Sequence, residues 1–211
     1  PVQCETLAGI LDRFGGVLEP LPAREPVRYE LPGRAAPEMA RYFAAFPATI
    51  DEPDFIARLP GGRVYGAGVV LSPDGASIAR DVSTDFGSPP DRHWLQTQEC
   101  LRAPVRIAGT TAVVAANLGA RYCHWLLEEL PRLLVLAEAD RPTLIAHAGA
   151  PFIRDAFALG AWGGRVVAAG RHTHFECEQL VVPGLIGRPG FPTPRMAELL
   201  RAFAAPWLQS S

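Results

Sequence analysis

Lysine is absent from this 211-residue chain; all 20 basic residues are arginine. Chemistry that needs a lysine, such as a Schiff base or a phosphate-cradling P-loop, is excluded. Cysteine is scarce. Cys4, Cys100, Cys123 and Cys177 form no CxxC pair and no spacing that reads as a disulfide framework. Scattered thiols, behind a first segment with neither a basic start nor an apolar core, lead us to expect a reducing, cytoplasmic setting. No apolar run approaches the roughly 20 residues that span a bilayer. No membrane span is expected, and any association with an inner membrane would be peripheral, through a partner. Neither sign of charge dominates: 20 basic and 22 acidic residues leave a net charge of −2, with no block of like charges. That balance argues against a nucleic-acid partner. The sequence also lacks an Asp-x-Asp triplet, and the glycine-rich stretch at 66–70 lacks the spacing of a dinucleotide loop. Asp85-Phe86-Gly87 stands without the rest of the kinase set and reads as a turn.

What is present suits a globular domain. The apolar fraction is 48% and the charged fraction 20%. Residues 1–35 form a lead-in, with a short helical pattern over 7–14 and a strand around 27–31. Residues 36–104 hold a helix over 36–46, entered through Pro37. A β-hairpin follows within 62–83, in which 63–71 and 76–83 flank the turn Ser72-Pro73-Asp74-Gly75. A short helix over 91–101 has Asp91 as its candidate cap. Residues 105–211 alternate: strands at 105–109, 111–116, 143–147, 164–169 and 174–183, helices at 121–139, 151–159 and 195–205. This alternation predicts an α/β fold with a largely parallel sheet, a Rossmann-like lobe behind a hairpin-containing N-terminal segment.

The richest stretch is 121–136, RYCHWLLEELPRLLVL. It follows an apolar strand and the loop Asn117-Leu118-Gly119. A helix starting there points its N-terminus at the carboxyl end of the sheet, where open α/β folds bind ligands and where free N–H groups favour anions. His124, Glu128 and Arg132 recur every four residues and share one face. Leu126, Leu130, Leu133 and Ala137 take the opposite face, and Glu129 lies beside the polar stripe near Trp125. Pro131 cannot donate to the carbonyl of Leu127, so a kink is expected beside both glutamates. On spacing alone, Glu128–Arg132 reads equally well as a solvated ion pair, and His124 as a helix-start histidine.

The run from Tyr122, with His124-Trp125-Leu126-Leu127-Glu128-Glu129-Leu130-Pro131-Arg132-Leu133, resembles the signature of glycosyltransferase family 61, a group associated with capsular and other surface polysaccharides. The hairpin turn SPDG, the segment PFIRDAFALG at 151–160, VVPG at 181–184 and GFPTP at 190–194 add to it, so that the resemblance covers roughly residues 25–205. The family often has asparagine where this chain has Arg121. The resemblance implies a two-lobed GT-B transferase of which this chain is the N-terminal lobe. A C-terminal donor-binding lobe is absent from it and would be a partner, in cis or as a separate chain.

Such an enzyme inverts the anomeric centre in one displacement. An acceptor hydroxyl attacks, a nucleoside diphosphate leaves, and a carboxylate takes the proton. The implied substrates are a sugar nucleotide and a glycan acceptor, with no cofactor and no metal. Glu128 or Glu129 would be the base, Glu128 being preferred because it shares a face with His124. His124 would orient the carboxylate or bind a substrate. Arg132, Arg121, Trp125 and Tyr122 are the implied substrate-binding residues. A non-catalytic glycan-binding or scaffolding module, or a truncated relic, is the alternative. His172, His174 and Cys177 offer two same-face imidazoles and one thiol facing away, too few ligands for a metal site. Trp125 and Trp162 also read as core residues.

Overall fold

A computed structural model describes residues 2–23, 25–28, 36–38, 49–50, 53–86, 88–136, 143–186 and 192–208. Strand β1 (Gln3–Glu5) leads into helix α1 (Leu7–Phe14). Thr6 caps that helix by accepting from the Gly9 N–H, Gly15 ends it at φ 70°, and Leu7, Ile10 and Leu11 form its buried side. Strands β2 (Val17–Pro20), β3 (Val27–Arg28), β4 (Thr49–Ile50) and β5 (Phe55–Pro60) follow. Next come β6 (Arg63–Tyr65), β7 (Val69–Leu71) and β8 (Ser77–Ala79). A 3₁₀ turn, Trp94–Thr97, precedes β9 (Val105–Val113). Helix α2 spans Tyr122–His124, Trp125–Glu129 and Leu130–Leu134. After it come β10 (Thr143–Ala146), α3 (Pro151–Ala156), β11 (Val166–Ala168), β12 (His174–Pro183) and α4 (Pro194–Leu208).

Ten strands form one mixed sheet, in the order β1-β8-β7-β6-β12-β9-β10-β11, with β5 also on β12 and β2 on β5. The strands β12, β9, β10 and β11 are mutually parallel, as their alternation with helices predicts. Along β11-β10-β9-β12 the first strand in sequence, β9, has its successors β10 and β11 on one side and β12 on the other. The direction of winding thus reverses between β9 and β12, which is where α/β sheets open a crevice at their carboxyl ends.

The sheet bends on itself. Gly109 in β9 has φ 73°, the β9–β12 register shifts between Cys177 and Gln179, and Gly61 between β5 and β6 has φ 67°. Beyond the bend β12 changes partner: His174–Glu176 pairs with β6 and Gln179–Pro183 with β5. Bulges of this kind turn a corner and let one sheet pack on itself. Val70, Ile107, Val113, Phe175 and Leu180 fill the fold together with Leu7 and Ile10 of α1. The two limbs meet at Gly68, where a Cβ would lie 2.0 Å from the Ala115 carbonyl oxygen. The outer face of the parallel limb is covered by α2, α3 and α4 through Leu130, Leu133, Ile153 and Phe203.

Four local expectations change. The run 63–71 is two antiparallel strands joined through Gly66 and Gly68, both at positive φ, because glycine permits the reversal. The expected strands 105–109 and 111–116 are one strand bulged at Gly109. The helix over 91–101 is the single 3₁₀ turn, capped by His93 and Gln96 and not by Asp91. Helix α3 passes into a π-helical turn, Phe157–Ala161, ended at Gly160 with φ 95°. The SPDG hairpin forms as expected, with Ser72 Oγ accepting from the Ser77 N–H at 2.9 Å. The helix expected over 36–46 lies outside the described residues beyond 38. Among the described residues no helix is long and apolar enough to cross a membrane.

Candidate functional site

The loop between β9 and α2 lies at the carboxyl end of the parallel strands. The N–H groups of Val114 and Ala115 both point to the Ile145 carbonyl, at 3.0 and 3.2 Å. The chain then turns tightly: Gly119 donates to Ala116 and Arg121 to Leu118. Leu118 holds φ 68°, the left-handed region, the one described non-glycine residue to do so. Strain of this kind persists where surrounding contacts enforce it.

Those contacts come from α2. Pro131 has no N–H to donate, and the helix meets this with a π-helical stretch over Trp125–Glu129, in which the Leu130 N–H reaches the Trp125 carbonyl. Such widened turns recur at functional sites. Here the widening turns two successive glutamates inward together, and Glu128 and Glu129 are both buried.

Each glutamate meets a histidine. Glu128 Oε1 lies 2.8 Å from His124 Nδ1, one turn earlier on the same helix. Glu129 Oε1 lies 2.5 Å from His147 Nδ1, at the end of β10. The same Glu129 oxygen accepts the Ala116 N–H at 2.8 Å. Glu129 therefore ties α2 to the loop and to the neighbouring strand. Gly119 lets the loop approach Glu129, because a Cβ there would sit 1.5 Å from Glu129 Oε1 and force that side chain to shift. The second oxygen of each carboxylate is buried and has no hydrogen-bond partner among the described residues. Burial pushes the Glu128 carboxyl above its ordinary range, against the opposing pull of its His124 hydrogen bond and charge and of the Arg132 charge.

Arg132 occupies a different place from the one the resemblance implies. It is completely buried. Its guanidinium donates to the carbonyls of Val113, Val114 and Ala115 at 3.1–3.2 Å and to Pro183 at 3.1 Å. It thereby closes the ends of β9 and β12 and leaves no face for a substrate. Nor is it half of a solvated ion pair with Glu128. Burial pushes it down to about 10, and its charge persists at neutral pH. Trp125 is likewise corrected: it is buried in the core against Phe152, with ring centroids 5.9 Å apart, as is Trp162. Arg121 and Tyr122 remain exposed at the helix start, Tyr122 edge-on to Phe152. His124 is partly exposed and carries Phe86 at 5.6 Å on its ring.

His147 sits in no motif that would single it out. Its signal was positional: it directly follows a parallel strand next to β9, where sheet residues meet ligands. The other histidine pair does not assemble. His172 lies in a turn ahead of β12, and His174 is buried with Nδ1 on the Arg102 carbonyl at 2.5 Å. Among the described residues no group of three potential metal ligands is present.

A cleft of about 500 Å³ opens beside this constellation. Ala116 and Asn117 of the β9–α2 loop line it, whereas neither glutamate does. Fold and site thus define a mixed α/β protein with two buried glutamates, each paired with a histidine, at the carboxyl end of its parallel limb. No family model, no curated protein and no solved structure matches this chain.

Proposed function

We propose that this chain is the acceptor-side lobe of an inverting, sugar-nucleotide-dependent glycosyltransferase of surface-polysaccharide assembly, with Glu128 as its general base. The supporting observation is the Glu128–His124 pair: a buried carboxylate, raised in basicity by that burial and held by an imidazole at the carboxyl end of parallel strands. The likeness of 122–133 to the family 61 signature supplies the reaction class. In the displacement the acceptor oxygen bonds to the anomeric carbon, the bond to the nucleoside diphosphate breaks, and the acceptor proton passes to Glu128. His124 holds the carboxylate in register. Arg121, exposed at the helix start, is the cation available to the departing diphosphate; a second lobe would complete the donor site.

The test measures nucleoside diphosphate release from a panel of sugar nucleotides with glycan acceptors, with and without the matching second lobe. Glu128→Gln lowers turnover by about 10²–10⁴ if the carboxylate is the base. Undiminished turnover in that variant overturns the assignment. One observation favours a non-catalytic glycan-binding module as the second reading: the cleft is walled by Tyr65 and Trp94 and does not include the glutamates. Saturable glycan binding without transfer in the two-lobed protein would decide for it.

A further inference from the structure

We infer that the cleft beside the Glu–His pairs is a binding site for an anionic saccharide, a sugar ring bearing a carboxylate or a phosphate. Its lining comes from separate parts of the chain: the end of β6 and the turn after it, the segment after β8, the 3₁₀ turn, the β9–α2 loop and the turn before β12. A volume of about 500 Å³ falls within the range of small-ligand sites, roughly 300–1,000 Å³. Its position follows from the bend of the sheet, which brings Gly68 against Ala115 and closes the floor.

The chemistry of the walls selects the ligand. Trp94, whose ring centroid lies 6.3 Å from that of buried Tyr65, supplies an aromatic surface of the kind that packs on the C–H face of a sugar. Around it stand Thr84, Gln98 and Asn117. The Thr84 hydroxyl oxygen is buried without a hydrogen-bond partner, Asn117 is half-buried and Gln98 is exposed. The amides of Asn117 and Gln98 are open to the hydroxyl groups of a sugar. Arg171 and His172 supply cation and donor from the turn before β12, and among the described residues no aspartate or glutamate lines the cleft. A neutral sugar leaves the charge of that arginine unmatched, and a cationic one is repelled by it. A ring with one negative substituent uses every group.

The cleft is coupled to the Glu–His pairs on two sides. Ala116, in its wall, donates its N–H to Glu129, and Phe86, two residues beyond Thr84, lies on the His124 ring. A saccharide held here lies against the β9–α2 loop that Glu129 fastens. Calling that saccharide the acceptor rests on the glycosyl-transfer reading; its binding does not.

Calorimetric titration of the chain with a glucuronate-containing disaccharide, glucose 1-phosphate, maltose and UDP tests the site. One or both anionic sugars should bind saturably, and whichever binds identifies carboxylate or phosphate as the anion. Maltose should bind about tenfold more weakly or worse, the usual margin for one charge-assisted hydrogen bond. Arg171→Ala, in an exposed turn, should remove that margin, and Gln98→Ala should weaken both anionic sugars. Trp94→Ala should abolish binding, with a thermal melt to show that it folds. Equal affinity for maltose, indifference to Arg171→Ala, preference for UDP over both anionic sugars, or no binding by any probe would each overturn the proposal. Transfer is not measured, so a chain that binds these sugars and transfers nothing would sink the transferase reading and leave the site standing.

Discussion

The two Glu–His pairs are built from adjacent glutamates, yet they are different devices. Glu128 meets His124 within one helix, accepts no backbone hydrogen bond, and has burial as its largest perturbation. Glu129 meets a histidine from another strand and also holds the Ala116 N–H, so it fastens the loop that Gly119 lets approach. A buried carboxylate with few partners is costly and is available for proton transfer. One tied to backbone and imidazole serves architecture. The lesson is that neighbouring residues of one type separate into roles through the hydrogen bonds available to each.

Variants can break or sharpen this contrast. The largest effect is expected beneath both pairs. Arg132→Met leaves four backbone carbonyls without their donor and removes a positive charge that acts on both carboxylates. A loss of about 3–5 kcal/mol, as for other broken buried charge networks, should appear in urea unfolding. Gly119→Ala drives a methyl into Glu129 and should lose about 1–3 kcal/mol, the range for overpacking. Combined with Glu129→Ala, much of that loss should be non-additive, because the clash partner is gone.

Glu129→Gln should destabilise by about 1–2 kcal/mol, since it weakens the bonds to His147 and Ala116. Glu128→Gln should do the reverse, raising stability at neutral pH by about 0.5–1 kcal/mol, typical of relieving a functional residue. The pH dependence fixes the sign. The folded-state pKa of Glu128 is raised by burial above the ordinary 4.5. Its protonated form therefore favours the fold; that contribution is complete below the unfolded pKa and is lost as pH rises through the folded one. The advantage of Glu128→Gln should thus appear above the folded pKa and vanish in acid. Thermal melts of the two glutamine variants across pH read this directly. Equal, same-signed effects would erase the distinction between the pairs.

The smallest effect concerns the exposed helix start. Tyr122→Ala removes an edge contact with Phe152 at an exposed position and should cost about 0.5–1.5 kcal/mol in thermal melts. A larger loss would make Tyr122 part of the core.

Much of the parallel limb was legible. The runs at 143–147 and 174–183 become β10 and β12 because apolar β-forming stretches bounded by turns leave few alternatives. His124 meeting Glu128 was legible for the same local reason, a spacing of four on a helix. Arg132 was misread because spacing gives a shared face and says nothing of what covers that face. The strand-end carbonyls that surround it come from 113–115 and 183, distant in sequence. His147 was missed for the complementary reason: its partner is 18 residues away and on another element.

The sequence by itself determined some local matters: the Ser72-Pro73-Asp74-Gly75 turn, the runs that become β10 and β12, and that His124 and Glu128 stand one turn apart. These depend on backbone sterics and on interactions within a few residues. Only the tertiary structure decided that the sheet bends at Gly109, that β12 trades β6 for β5, that Arg132 is an anchor, and that a cleft opens beside Ala116. Burial and long-range pairing arise when separate segments share one core, and each segment's environment is then set by residues it cannot specify.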